Sequence, residues 1–165
     1  MITLILGGAR SGKSAYAERL MERLPPPITY VATMQVGDDP DLSDRVARHR
    51  QRRPATWHTA EAGLDLAGVL DRVAGSILLD SLGPWVAAHT DDDAVDGAAL
   101  CRALAGRRGD TVIVSEEVGL GVHPSSAAGR HFRDALGTLN QAVAAVADDV
   151  FLVVAGRALR LDEAP

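Results

Sequence analysis

The run Gly7-Gly8-Ala9-Arg10-Ser11-Gly12-Lys13-Ser14 constrains this chain more than any other feature. It fits the pattern G-x-x-x-x-G-K-[ST]. An apolar run over residues 2–6 precedes it, and a helical pattern follows through Ala15, Tyr16, Ala17, Leu20 and Met21. In that strand–turn–helix setting the glycines let successive backbone N–H groups face one point and accept anionic oxygens. The positive end of the helix adds to the attraction. Lys13 is then placed to reach the β- and γ-phosphates of a nucleoside triphosphate, and the Ser14 hydroxyl to hold Mg2+. A glycine turn that matched by chance would lack both flanks.

Lys13 is the only lysine; every other one of the 17 cationic side chains is an arginine. An ammonium is a compact point charge on a flexible stem and a guanidinium a planar fork, so a tight phosphate site accepts the first and refuses the second. The balance of 22 acidic against 17 basic residues leaves a formal charge of −5. That sign argues against a protein that tracks a nucleic-acid backbone, since such affinity comes from cations neutralising phosphates. A lone cysteine, Cys101, excludes an internal disulfide framework and a cysteine-based zinc site. The apolar start is too short for a signal core or a membrane span, so a cytoplasmic protein without a membrane span is expected.

Short aliphatic runs at 2–6, 28–33, 77–80, 111–114 and 150–154 read as strands, with a further short one at 57–59. Helical patterns alternate with them, including residues 64–74 with Leu66, Val69, Leu70 and Val73 on one side. The clearest repeats Phe132, Leu136, Leu139, Val143 and Val146 at three- and four-residue steps. After Gly156 a short tail is expected. This alternation predicts an α/β fold, a mainly parallel sheet covered on both faces, as one domain over 1–165.

Asp80 ends an apolar strand, where a second metal-holding carboxylate belongs. Glu116 and Glu117 also lie at the carboxyl end of a strand, where open α/β sheets bind ligands, and spacing does not choose between them. Residues 41–53 read as a helix on which Arg45, Arg48, His49 and Arg52 share a face. Such a face is ordinarily just solvated. Here five arginines gather in an acidic chain, which suits a polyanion, and a histidine stands among them. Neighbouring cations disfavour its imidazolium form, leaving a nucleophile able to attack phosphorus while guanidinium groups stabilise the developing charge. His58, His89, His123 and His131 lack that setting and read as surface or packing residues.

With these residues in view, the chain resembles the bifunctional adenosylcobinamide kinase / adenosylcobinamide-phosphate guanylyltransferase family of cobalamin biosynthesis. The resemblance rests on the phosphate loop, Tyr30-Val31-Ala32-Thr33, Arg45-Val46, His49-Arg50 and Arg53-Pro54, and Trp57, Thr59 and Glu61. It continues through Glu117-Val118-Gly119, Gly121, Pro124, Arg130, Phe132-Arg133-Asp134, Asn140-Gln141 and Val153-Val154-Ala155-Gly156. It implies a P-loop, RecA-like three-layer α/β/α fold, a homotrimer, and ATP or GTP as phosphate donor to a corrinoid hydroxyl. GMP transfer from GTP would then pass through a GMP–histidine adduct at His49. By the same resemblance, nucleotide contacts fall on Gly7 to Ser14, Ala32, Thr33, Met34, Arg50, Gln51, Arg52, Arg53, Glu61 and Asp80. Asp80 stands where relatives carry Glu, and Glu116 where Asn or Asp is often found. Two other readings share the loop: a plain small-molecule kinase, and a nucleotide-dependent assembly module of the RecA type.

Overall fold

Seven strands form one sheet in the order β3-β2-β4-β5-β1-β6-β7. They are β1 (Ile2–Gly7), β2 (Ile28–Ala32), β3 (His58–Glu61), β4 (Ser76–Asp80), β5 (Thr111–Glu116), β6 (Asp149–Val154) and β7 (Arg157–Leu161). All neighbours pair in parallel except β7, which runs antiparallel to β6. Among the described residues the helices are α1 (Lys13–Met21), α2 (Leu66–Arg72), α3 (Leu82–Ala88), α4 (Gly97–Gly106) and α5 (Ala127–Ala144). This computed structural model describes residues 1–34, 53–89 and 95–162. Of the helix expected over 41–53, residues 41–52, with His49, Arg50, Gln51 and Arg52, lie outside the described residues.

Alternating side chains send the inner strands of the sheet into two cores. Leu4, Leu6, Val31, Ile77, Leu79 and Ile113 face one way and meet Leu66 and Leu70 of α2, Leu82 and Trp85 of α3, Leu100 and Leu104 of α4, and Leu136 and Val143 of α5. Ile5, Ile28, Tyr30, Leu78, Val112 and Val114 face the other way, against Ala17 and Met21 of α1. With few aromatics available, the core is aliphatic, and each fully buried leucine stabilises by about 1.5–3 kcal/mol. Helix starts are fixed locally. The side chains of Asp65, Asp96 and Ser126 accept the N–H of Gly68, Ala99 and Gly129 and cap α2, α4 and α5.

The expected strands are all present, and the amphipathic run from Phe132 to Val143 is α5, with Leu136, Leu139 and Val143 buried. The tail after Gly156 is instead β7. It pairs Val154 with Arg157 and Val150 with Leu161 across a two-residue turn. Ala155 and Gly156 both take positive φ there, 51° and 75°, as a tight hairpin of matching twist requires. All five residues of β7 are exposed. A strand with no buried face leaves no alternation in the sequence to read.

At the amino ends of β4 and β5, Arg107 closes the end of α2. Its Nη1 donates to the Leu70 and Val73 carbonyls, Nη2 to the Gly75 carbonyl at 2.7 Å, and Nε to Thr111 Oγ1 at 3.0 Å. Burial acts against the guanidinium charge and lowers its value from the ordinary one, while Asp71 acts the other way. These carbonyls lie at and just beyond the last helical turn, where a cation is most favourable. Arg107→Ala is expected to cost about 2–3 kcal/mol, read as a lower denaturant midpoint. Arg107→Lys should recover only part, since one ammonium does not reproduce the fork.

Candidate active site

The sheet register brings the sequence-predicted residues to one edge. Gly7 pairs with Glu116 and with Val153, Ala32 with Asp80 and with Glu61. The carboxyl ends of β3, β2, β4, β5 and β1 therefore present Glu61, Ala32, Asp80, Glu116 and Gly7 side by side. This is where a parallel α/β sheet binds ligands.

The phosphate loop turns from β1 into α1 as expected. Ser11 N–H donates to the Gly8 carbonyl at 3.2 Å, and Gly12, at φ 94°, precedes the first helical residue, Lys13. A Cβ at Gly12 would press on Gly156 Cα at 3.2 Å, because the β6–β7 turn lies against the loop and Gly156 N–H donates to the Ser11 carbonyl at 2.8 Å. The hairpin that the sequence left as a tail thus braces the phosphate cradle. Gly8, Ala9 and Arg10 are exposed on its rim.

Ser14 and Asp80, 66 residues apart in sequence, meet: Ser14 Oγ donates to Asp80 Oδ1 at 3.3 Å. Tyr30 Oη donates to Asp80 Oδ2 at 3.3 Å. Removal from water, and then the negative charge of Glu116, hold the Asp80 carboxyl above the usual carboxylate range. Burial, reinforced by Asp80, likewise raises the Tyr30 hydroxyl well above its ordinary value, so it stays a donor. Over the Tyr30 ring lies the Arg53 guanidinium, 3.5 Å from the centroid. Arg53 is the one residue of the expected arginine cluster within the described residues.

Thr33 and Ser81 clasp each other across β2 and β4. Thr33 Oγ1 donates to the Ser81 carbonyl at 2.5 Å and accepts Ser81 N–H at 3.1 Å. Met34 follows, partly exposed, and Glu61 is exposed at the end of β3. Sequence reasoning had no signal for Ser81, and it carried Tyr30 only as part of the run Tyr30-Val31-Ala32-Thr33, with no role beside Asp80.

The geometry separates the two glutamates. Glu116 turns toward the loop, with Oε1 3.6 Å from Lys13 Nζ. Glu117 turns away: its Oε1 accepts Gly119 N–H at 2.6 Å in the following loop. Asn140 of α5 locks this strand end, accepting from Ser115 Oγ at 2.6 Å and donating to the Glu116 carbonyl at 3.1 Å. Of the other histidines, His89 packs edge-on to Trp85 and His123 contacts Arg133, while His58 begins the edge strand.

Known proteins resemble this chain over almost its whole length. Residues 3–161 match a family model described as cobinamide kinase / cobinamide phosphate guanyltransferase. The chain is similar to the bifunctional adenosylcobalamin biosynthesis protein CobP of Pseudomonas aeruginosa, 40% identical over 173 residues that cover 100% of this chain and 99% of that protein. It is similar also to the bifunctional adenosylcobalamin biosynthesis protein CobU of Salmonella typhimurium, 37% identical over 98% of this chain and 99% of that protein. Among solved structures, an ATPase from the type III secretion system of pathogenic bacteria shares the P-loop NTPase fold alone. Its TM-score is 0.56 at 12% identity, covering 92% of this chain and 50% of that one.

Asp80 gives the site a pH signature. A carboxyl whose folded value lies above its unfolded one binds its proton more tightly in the folded chain. Ionising it costs stability, beginning as pH rises past the unfolded value and complete above the folded one. Metal-free Asp80→Asn is therefore expected to melt above the wild type at neutral and alkaline pH, with the gain vanishing in acid. Thermal unfolding with a chelator present reads this, and a lower alkaline melting point for the variant contradicts it.

Proposed function

The chain belongs to the cobinamide kinase / cobinamide phosphate guanyltransferase family, and from that premise we propose how its residues divide the work. The enzyme phosphorylates adenosylcobinamide with a nucleoside triphosphate. It then moves GMP from GTP onto adenosylcobinamide phosphate, a bifunctional task in cobalamin biosynthesis. One domain over 1–165 carries both steps, with ATP and GTP as substrates and the corrinoid as acceptor.

In the first step the backbone N–H groups of Gly8 to Ser14 cradle the phosphates, and Lys13 sets its charge against the β- and γ-oxygens. Ser14 and Asp80 suit Mg2+: a hydroxyl and a carboxylate, both hard oxygen donors, face each other at 3.3 Å where the loop becomes a helix. Held by these two residues, Mg2+ would supply positive charge against the phosphate oxygens. Tyr30, donating to the second Asp80 oxygen, keeps the carboxylate turned to Ser14.

In the second step a nucleophile must reach the α-phosphorus. We assign it to His49, which lies outside the described residues, with Arg50, Gln51, Arg52 and Arg53 gripping the nucleotide around it. The support is chemical: an imidazole among arginines can attack phosphorus while the guanidinium groups stabilise the developing charge. Ala32, Thr33, Met34 and Glu61, at the ends of β2 and β3, complete the nucleotide contacts. Nucleotide substrates and a biosynthetic role fit a cytoplasmic enzyme; among the described residues no helix is long and apolar enough to cross a membrane.

The observation that carries this reading is the meeting of Ser14 and Asp80 beside Lys13 in a chain matched over almost its whole length by one family. Incubation with α-labelled GTP is expected to leave an acid-labile, base-stable label on the protein. His49→Ala should lower labelling and guanylyl transfer below about one thousandth of wild type while phosphorylation of the corrinoid continues. Label that persists in the variant overturns the histidine assignment, and γ-phosphate transfer with no covalent nucleotide in the wild type favours a plain kinase. Light scattering should return three times the mass of the chain, as the family resemblance implies for a trimer.

A further inference from the structure

Glu116 has no task in the two steps above, yet it is bound to the phosphate loop. Lys13 donates to the Gly8 carbonyl at 3.3 Å and pairs with Glu116 Oε1 at 3.6 Å. To meet a triphosphate, Lys13 has to leave that carboxylate. Glu116 does not have to follow. Ser81 Oγ donates to its Oε1 at 2.9 Å, Gly83 N–H donates to its Oε2 at 3.0 Å, and Asn140 holds its carbonyl. Its side chain keeps 27% of its surface open, against 9% for Lys13, so a substrate has access to it.

A fixed, partly open carboxylate one lysine away from the γ-phosphate position is where an attacking hydroxyl has to lose its proton. Resting on the functional reading above, we propose that Glu116 is the proton acceptor of the phosphoryl-transfer step, and that the nucleotide uncovers it by drawing Lys13 away. The acceptor hydroxyl donates its hydrogen bond to Glu116. As its oxygen bonds to the γ-phosphorus, the O–H bond breaks and the proton passes to the carboxylate. The bond from the γ-phosphorus to the β–γ bridging oxygen breaks, and the nucleoside diphosphate leaves with that electron pair. Lys13 is thus held by a carboxylate when no phosphate is present and by phosphate when one is. The base is covered in the first state and free in the second.

The competing role is structural, since Glu116 also accepts an N–H from the first turn of α3. The two roles move different quantities. Glu116→Gln keeps an oxygen for that N–H but has no charge for Lys13 and cannot take the proton. The variant is expected to lose at least about 100-fold in kcat for corrinoid phosphorylation and to bind ATP severalfold more tightly by calorimetry, because Lys13 no longer has a rival anion. Glu116→Asp, which keeps the charge but withdraws it, should fall between variant and wild type in kcat. A Glu116→Gln enzyme within threefold of wild-type kcat overturns the proposal. So does one that binds ATP no more tightly than wild type, for that is what general damage produces. If the wild type itself phosphorylates no corrinoid, it is the functional reading that fails; if the wild type works and Glu116→Gln works equally, only this inference does.

Discussion

Strand register governs everything at the active edge. Aliphatic packing on both faces of the sheet decides which residues of each strand point up and which down, and a slip by one would turn every side chain over. With Leu4 and Leu6 in one core and Ile5 in the other, β1 has to end at Gly7, level with Glu116 of β5. With Ile77 and Leu79 in one core and Leu78 in the other, β4 has to end at Asp80, beside Ala32. The catalytic geometry is a by-product of where leucines and isoleucines find their neighbours.

That edge concentrates charge in places where water is scarce. Lys13 is buried, Asp80 is held above its usual range by lost water and by Glu116, and Glu116 spends its charge on Lys13. Each group is tolerated because another answers it, through Ser14, Tyr30, Ser81 and the α3 backbone. By the reading proposed above, phosphate is the stronger partner for Lys13, and Ser14 and Asp80 are the groups that would hold Mg2+.

The loop, the five inner strands and α5 were legible because each leaves a local mark: a glycine pattern, an aliphatic run, a three-and-four repeat. β7 left none, having no buried face. The choice between Glu116 and Glu117 was equally closed to the sequence. Adjacent residues at a strand end point to opposite sides, and which side holds the phosphate loop depends on how α1 packs against the sheet. Of the histidines that read as surface or packing residues, His89 and His123 are engaged with Trp85 and Arg133.

The sequence by itself determined that a nucleotide loop opens a parallel α/β sheet, that Asp80 ends a strand, and that a histidine stands among arginines. It did so because each is a matter of neighbours a few residues apart. Only the tertiary structure decided that Ser14 meets Asp80 across 66 residues, that Tyr30 meets it across 50, and that Lys13 rests on Glu116. Those contacts exist because strands far apart in the chain lie side by side in the sheet, and no local pattern records which strands will be neighbours.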